Sequence, residues 1–151
     1  MNIRIGSEED LDMLAAMNKQ LIEDERHDNP MDIPQLRERM QSFIEGSYAA
    51  YIFEAEDTVL GYALVDHSRS PLYLRQFFIS RSSRGQGNGK AAFRALTQFL
   101  GTDDLDIEVM HWNEQGYRFW KSLGFQERSV YMRRSHSFDS VSDKTNVSGD
   151  D

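Results

Sequence analysis

The chain contains no cysteine. That absence excludes disulfides, a thiol nucleophile and thiolate metal sites. It also lacks any apolar run approaching the roughly 18 residues that cross a bilayer, so no membrane association is expected. The opening "MNIRIGSEED" turns acidic where the apolar core of a signal peptide would stand. A cytoplasmic location is therefore the default. A basic excess is missing too: 17 Lys and Arg against 25 Asp and Glu leave a net charge of -8. A general nucleic-acid binder needs a basic face, so no nucleic-acid partner is expected. An acidic surface can steer a cationic amine toward the protein, although solubility alone explains most acidic surfaces.

What is present fits one globular domain. At 151 residues, 39% hydrophobic and 28% charged, the chain is long enough to bury a substantial core. "NIRIG" reads as a first strand. Ser7 and Asp10 have the spacing of a helix start, and Leu11, Leu14, Asn18, Leu21 and Ile22 follow at helical spacing. "DERHDNPMD" interrupts that helix. Pro34 opens a second, whose stripe is Leu36, Met40, Phe43 and Ile44, ending near Gly46. "SYAAYIFEA" and "VLGYALVDHS" around "EDT" read as a β-hairpin, and "LYLRQFFI" as a central strand. A glycine loop and a helix to Leu100 come next, stopped by Gly101. "LDIEVM" predicts another strand, Asn113 caps a helix to Leu123, and "FQERSVYMRR" predicts a last strand. The order is β-α-α-β-β-β-α-β-α-β. That predicts an α/β (α+β) fold with a mixed central sheet and helices on both faces. Residues 1–134 form the expected domain, and the Ser- and Asp-rich residues 135–151 a polar tail.

The loop "RGQGNG", Arg84 to Gly89, carries most of the chemical information. It does not match a Walker A loop, because Arg84 stands where the first glycine belongs and Ala91 follows Lys90. Nor does it match a dinucleotide fingerprint, whose glycine spacing and place in the chain differ. What remains is strand, glycine loop, helix. The unpaired N–H groups of a helix N-terminus bind anions there, and Arg84 and Lys90 flank them. A tight turn alone would need one glycine rather than three.

"RGQGNG" resembles the pyrophosphate loop of the GNAT N-acetyltransferases. "WNEQGYRFWKSLGF", Trp112 to Phe125, is similar to a second segment of that family, downstream at the family's distance. The resemblance covers about residues 3 to 133 and implies acetyl-CoA (coenzyme A) as cosubstrate. It implies that Arg84, Gly85, Gln86, Gly87, Asn88, Gly89 and Lys90 hold the pyrophosphate. Phe77, Phe78 and Ile79 lie on the strand that would pair with the pantetheine arm, with Asn113 and Trp120 lining its thiol end. The acidic stretch "EDERHDNPMD" resembles a metal site by composition, but its ligand spacing is not diagnostic, and no metal is expected.

Two residues depart from the family pattern. Trp120 stands where a tyrosine usually protonates the leaving thiolate, and indole is not a usable acid. Trp120 donates a hydrogen bond, or Tyr117 takes the role, or the thiolate leaves unaided. The third is favoured, because a thiol of pKa near 8–9 is already a good leaving group. The motifs are nearest the spermidine/spermine branch, yet Arg75 and Gln76 replace an acidic pair expected to hold a polyamine. Strand alternation puts Arg75 on one face with Phe77 and Ile79, and Gln76 on the other with Phe78. An amine that also bears a carboxylate or phosphate becomes a candidate acceptor. Glu25 and His27, in the acidic stretch, join Arg75 and Gln76 as candidate acceptor contacts, with Glu108 a weaker candidate base.

The expected function is acetyl transfer to a primary amine of a small molecule. The alternatives are a protein or peptide acetyltransferase, and an acetyl-CoA-binding sensor without catalysis. A homodimer is compatible with the sequence.

Overall fold

The computed structural model describes residues 1–135; the tail expected at 135–151 lies, apart from Ser135, outside the described residues. Five strands form one sheet in the order β1-β2-β3-β4-β5. They are β1 (Asn2–Ile5), β2 (Tyr48–Ala55), β3 (Thr58–Asp66), β4 (Leu72–Ile79) and β5 (Leu105–Asp106). Each neighbouring pair among the first four is antiparallel, and β5 runs parallel to β4. The helices are α1 (Leu11–Asp24), α2 (Ile33–Glu45), α3 (Asn88–Leu100) and α4 (Glu114–Ser122).

Helices cover both faces because each presents one apolar stripe. Leu11, Leu14 and Leu21 of α1 and Met40 of α2 bury against Ile52, Tyr62, Leu64 and Phe78 on one face. Ala92 and Leu96 of α3 bury against Phe53, Ala63, Val65 and Ile79 on the other, where Trp120 of α4 and Phe125 join them. Truncating any of the fully buried leucines would cost about 2–5 kcal/mol. The helix starts carry the expected signals. Asp10 accepts the Ser7 N–H at 2.8 Å, and Asp32 and Gln35 bond each other's backbone N–H groups at 2.9 Å. Among the described residues no helix is long and apolar enough to cross a membrane.

Three expectations are corrected here. "LDIEVM" is paired only at Leu105 and Asp106, opposite Leu72 and Tyr73. Beyond that pair the two strands have no ladder between them. "FQERSVYMRR" is not a strand: Val130, Tyr131 and Met132 are exposed and unpaired. Residues 107–110, which would extend the neighbouring strand, carry no ladder themselves, and its alternation is not used in pairing.

The third correction concerns alternation in β4. Leu64 pairs with Gln76, but Val65 pairs with Leu74, leaving Arg75 as the extra residue of a β-bulge. The bulge re-aims Arg75. Its guanidinium reaches Tyr48 Oη at 3.2 Å and stands 5.0 Å from the Phe43 ring centroid. Phe43 and Tyr48 belong to the α1/α2 face, as do Tyr62 and Phe78. Arg75 therefore shares that face with Gln76, not the opposite face with Phe77 and Ile79.

Candidate active site

The divergence of β4 and β5 opens a cavity of about 500 Å³. Its walls come from the end of α1 (Leu21, Asp24, Glu25), from β4, from the loop before α3, from Ile107 and Glu108, and from α4 (Asn113, Phe119, Trp120). Because β5 accompanies β4 only at Leu72 and Tyr73, the β4 edge from Leu74 to Ile79 is unpaired on the cavity side.

The glycine loop forms one end. Gly85 and Gly87 have φ of 75° and 80°, a region that favours glycine. A Cβ added at either would meet nothing within 4 Å, so the space outside the loop is open. Gly89 serves a different end: a Cβ there would press on the Phe119 ring at 3.1 Å. Gly87 caps α3, and its carbonyl takes the first helical bond, from Ala91. Among the described residues, no protein acceptor is bonded by the N–H groups of Gly85 through Lys90. Six consecutive donors without a partner, at a helix N-terminus, make an anion site.

The cationic side chains beside this loop differ. Lys90 lines the cavity. Arg84 is spent structurally: its Nε donates to Ile79 O at 2.7 Å, and its Nη2 pairs with Asp24. Gln86 and Asn88 turn their side-chain amides inward to the carbonyls of Ser82 and Ser83, at 3.3 and 2.8 Å. Asp24 also pairs with Arg81 at 2.8 Å. Burial pushes its carboxyl up, but the bonds from Arg84 and Arg81 outweigh that and hold it below the usual range.

Glu25 is the opposite case. It lines the cavity half-buried and, among the described residues, forms no ion pair. Burial, with the neighbouring Asp24 charge, pushes its carboxyl up to about 7. Trp112 Nε1 donates to the Glu25 carbonyl at 2.9 Å, and Arg26 Nη2 to the Trp112 carbonyl at 3.1 Å, tying the end of α1 to the α4 side of the cavity. Glu108 also lines the cavity and accepts from Tyr73 Oη at 3.1 Å. Burial and the Glu108 charge push the Tyr73 phenol up to about 12, so it stays a donor.

At the far end, Asn113 caps α4, its Oδ1 accepting from Gly116 N at 3.0 Å. A Cβ at Gly116 would collide with the Asn113 amide, so that glycine serves the cap. Trp120 packs edge-on against Phe77, Phe93, Phe119 and Phe125 at centroid distances of 4.8–5.8 Å. It forms cavity wall.

Five candidates lie outside the cavity lining: Gln86 and Asn88, whose amides turn inward, and Tyr117, His27 and Gln76. Tyr117 is not part of the lining; it donates to Glu127 Oε1 at 2.9 Å, a bond that raises its pKa. His27 Nδ1 accepts the Asn29 N–H at 3.1 Å and organises the α1–α2 connection. Gln76 is buried, its Oε1 accepting from Tyr62 Oη at 2.7 Å. Phe119 and Leu21, which sequence reasoning did not single out, line the cavity. Phe119 was signalled only by helical spacing from Gly116.

No curated protein matches the sequence significantly. Solved structures do match. A mutant BH1408 protein from Bacillus halodurans is 19% identical with a TM-score of 0.72, covering 89% of this chain and 99% of that one. A predicted acetyltransferase from Clostridium acetobutylicum, solved with acetyl-CoA, is 15% identical with a TM-score of 0.68, covering 89% and 95%. The aminoglycoside 6'-N-acetyltransferase AAC(6')-IG from Acinetobacter haemolyticus is 14% identical with a TM-score of 0.67, covering 89% and 99%. At these identities the likeness is one of fold. The profile of the acetyltransferase (GNAT) family, however, matches residues 14–125, well over half of the sequence, and spans every wall of the cavity. The chain belongs to the GNAT acetyltransferase family.

Proposed function

We propose that residues 1–134 transfer the acetyl group of acetyl-CoA to the primary amine of a small molecule. One observation carries this reading. A single cavity joins the glycine loop, whose N–H groups have no partner among the described residues, an unpaired strand edge and the Glu25 carboxyl, which burial pushes up to about 7. The open space outside Gly85 and Gly87 suits a bulky anion such as a pyrophosphate. Lys90 and the N–H groups from Gly85 to Lys90 would hold it. The β4 edge from Leu74 to Ile79 would bond the pantetheine amides as an added strand does. Phe77, Phe119 and Trp120 would form the apolar wall at the thiol end. The related Clostridium acetobutylicum protein, which binds acetyl-CoA, supports this cosubstrate.

Acetyl-CoA supplies its acetyl group as a thioester. The chain's own residues do the rest. The Glu25 carboxylate takes a proton from the incoming ammonium and passes it to solvent, leaving a free amine to attack. A base with a pKa near 7 suits this work near neutral pH. Backbone N–H groups of β4 polarise the thioester carbonyl. As the C–N bond forms and the C–S bond breaks, coenzyme A leaves as its thiolate and the nitrogen sheds its second proton to solvent; no protein acid is needed, for Trp120 is indole and Tyr117 is bonded to Glu127. Glu108, fixed by Tyr73, makes a second acidic wall for the amine.

Thiol release from acetyl-CoA over an amine panel, with mass-spectrometric detection of the acetylated product, tests the proposal. Amine-dependent turnover is expected. Tight acetyl-CoA binding by calorimetry, without turnover on any amine, would replace it with the sensor reading.

A further inference from the structure

Two arginines stand beside the cavity without a counter-charge. Arg75, on the bulge, lines the cavity wall. Arg39, from α2, is half-buried behind it. Their guanidinium carbons lie 5.0 and 5.3 Å from the centroid of one ring, that of Phe43. Among the described residues neither arginine has a carboxylate within ion-pair distance, although Arg4, Arg37, Arg81 and Arg84 all do. Arg39 Nη2 donates to Asn18 Oδ1 at 3.3 Å, while its buried Nε donates to nothing. Arg75 Nη1 has only the neutral Tyr48 hydroxyl.

Two like charges over one ring, one with a buried unused donor, is an unfavourable arrangement by itself. Burial and the Arg75 charge make the Arg39 cation harder to sustain. An anion between them would relieve both costs, and a guanidinium fork matches carboxylate or phosphate oxygens. The same pair lies next to the proposed acceptor end. The Tyr62 hydroxyl, bonded to Gln76, senses the charges of both Glu25 and Arg39. Geometry joins them as well, since Glu25 and Arg75 line the same cavity.

We propose that the acceptor is an anionic amine, its carboxylate or phosphate held by Arg39 and Arg75 while its amino group meets Glu25. This rests on the acetyltransferase reading and narrows its substrate class. Polycations such as spermidine and aminoglycosides are disfavoured, because the pair repels them. The aminoglycoside specificity of a structural relative therefore does not transfer to this chain.

The test compares amines of similar size: glycine, β-alanine and 2-aminoethyl phosphate against neutral ethanolamine, with spermidine and an aminoglycoside as cations. Wild-type kcat/KM for the best anionic amine should exceed that for ethanolamine at least tenfold. Carboxylate against phosphate in the panel separates the two anion sources. Arg75→Gln should erase the preference and leave the KM for acetyl-CoA within twofold, with Arg75→Lys retaining part of it. Arg39→Gln should do the same. Ethanolamine or spermidine used as well as the anionic amines would overturn the proposal, as would an equal loss for neutral and anionic amines in Arg75→Gln. A readout independent of turnover is inorganic phosphate titrated into the CoA-bound full-length protein. The side-chain Nε–Hε resonances of Arg39 and Arg75 should shift by NMR, and unmoved resonances would remove the anion site. Shifted resonances without turnover on any amine would instead sink the acetyltransferase reading and leave the arginine pair standing.

Discussion

At the scale of single residues, two adjacent carboxyl groups with the same chemistry take opposite roles because their partners differ. Asp24 is clamped between Arg81 and Arg84 and stays ionised, which fits a structural pin. Glu25 has no such partner among the described residues, and burial pushes its carboxyl up to about 7, which fits a base. Glu25→Gln should therefore lower kcat/KM by about 10²–10⁴ with acetyl-CoA affinity unchanged. The wild-type rate should climb as pH rises through about 7, since only the carboxylate accepts a proton. The variant should lack that limb. A pH–rate profile of unchanged shape in Glu25→Gln would reassign the base. Trp120 is a different kind of residue. Its ring is held by four aromatic neighbours, so Trp120→Phe keeps the wall and should cost less than about tenfold in kcat, far below the loss of a true acid. Tyr117→Phe should be as mild; a loss of several hundred-fold there, with cofactor affinity intact, would make Tyr117 an acid after all.

At the scale of elements, the loop before α3 works through its backbone. Gly87 sits at φ 80°, so Gly87→Val is strained whatever binds, and a fall in its acetyl-CoA affinity would mix strain with blockage. Lys90→Met separates them. Lys90 lies in the first turn of α3, where a cation adds nothing to helix stability, and methionine keeps its apolar stem. Acetyl-CoA Kd should rise about tenfold, near 1.4 kcal/mol, at unchanged thermal midpoint; an unchanged Kd by calorimetry would separate the loop from the pyrophosphate. The elements were legible in the sequence where one local rule governed them. Stripes such as Leu11, Leu14 and Leu21, the cap at Asn113 and the stop at Gly101 depend on spacing within one segment. Failures came where a neighbour decides. A bulge at Arg75 is set by pairing with β3, and it overturned a face assignment that alternation alone made. "FQERSVYMRR" alternates like a strand, but that alternation is not used in pairing. Within the site, the glycine loop was legible as an anion cradle. Arg84's diversion to Asp24 was not, because the two are 60 positions apart.

At the scale of the whole molecule, the cavity depends on two layers meeting around a sheet that splits. The α1 side reaches it through Asp24 and Glu25, the α4 side through Asn113, Phe119 and Trp120, and the Trp112 indole ties the two by bonding the Glu25 carbonyl. Placing Glu25 there carries a stability cost with a definite pH dependence. Its folded pKa, about 7, lies above the ordinary value of 4.5. The folded state therefore binds the extra proton between those values, and stability falls as pH rises through that window. Below about 4.5 the penalty is absent, and above about 7 it is complete. Asp24 acts with the opposite sign. Its folded pKa is lowered, so its contribution is present at neutral pH and fades only as pH falls into the acid range, outside the Glu25 window. Urea unfolding of wild type and Glu25→Gln from pH 4.5 to 8 isolates the Glu25 term. The two proteins should be closest at pH 4.5, with the variant gaining progressively to about 2 kcal/mol at pH 8, a figure set by the size of the shift and discounted for partial exposure. Such a gain, paired with the loss of turnover expected for the same variant, would mean that the carboxyl is kept at a cost to the fold for the sake of its chemistry. Stability differences that stay constant across the range would show that Glu25 titrates normally and would remove the physical basis for its role as base.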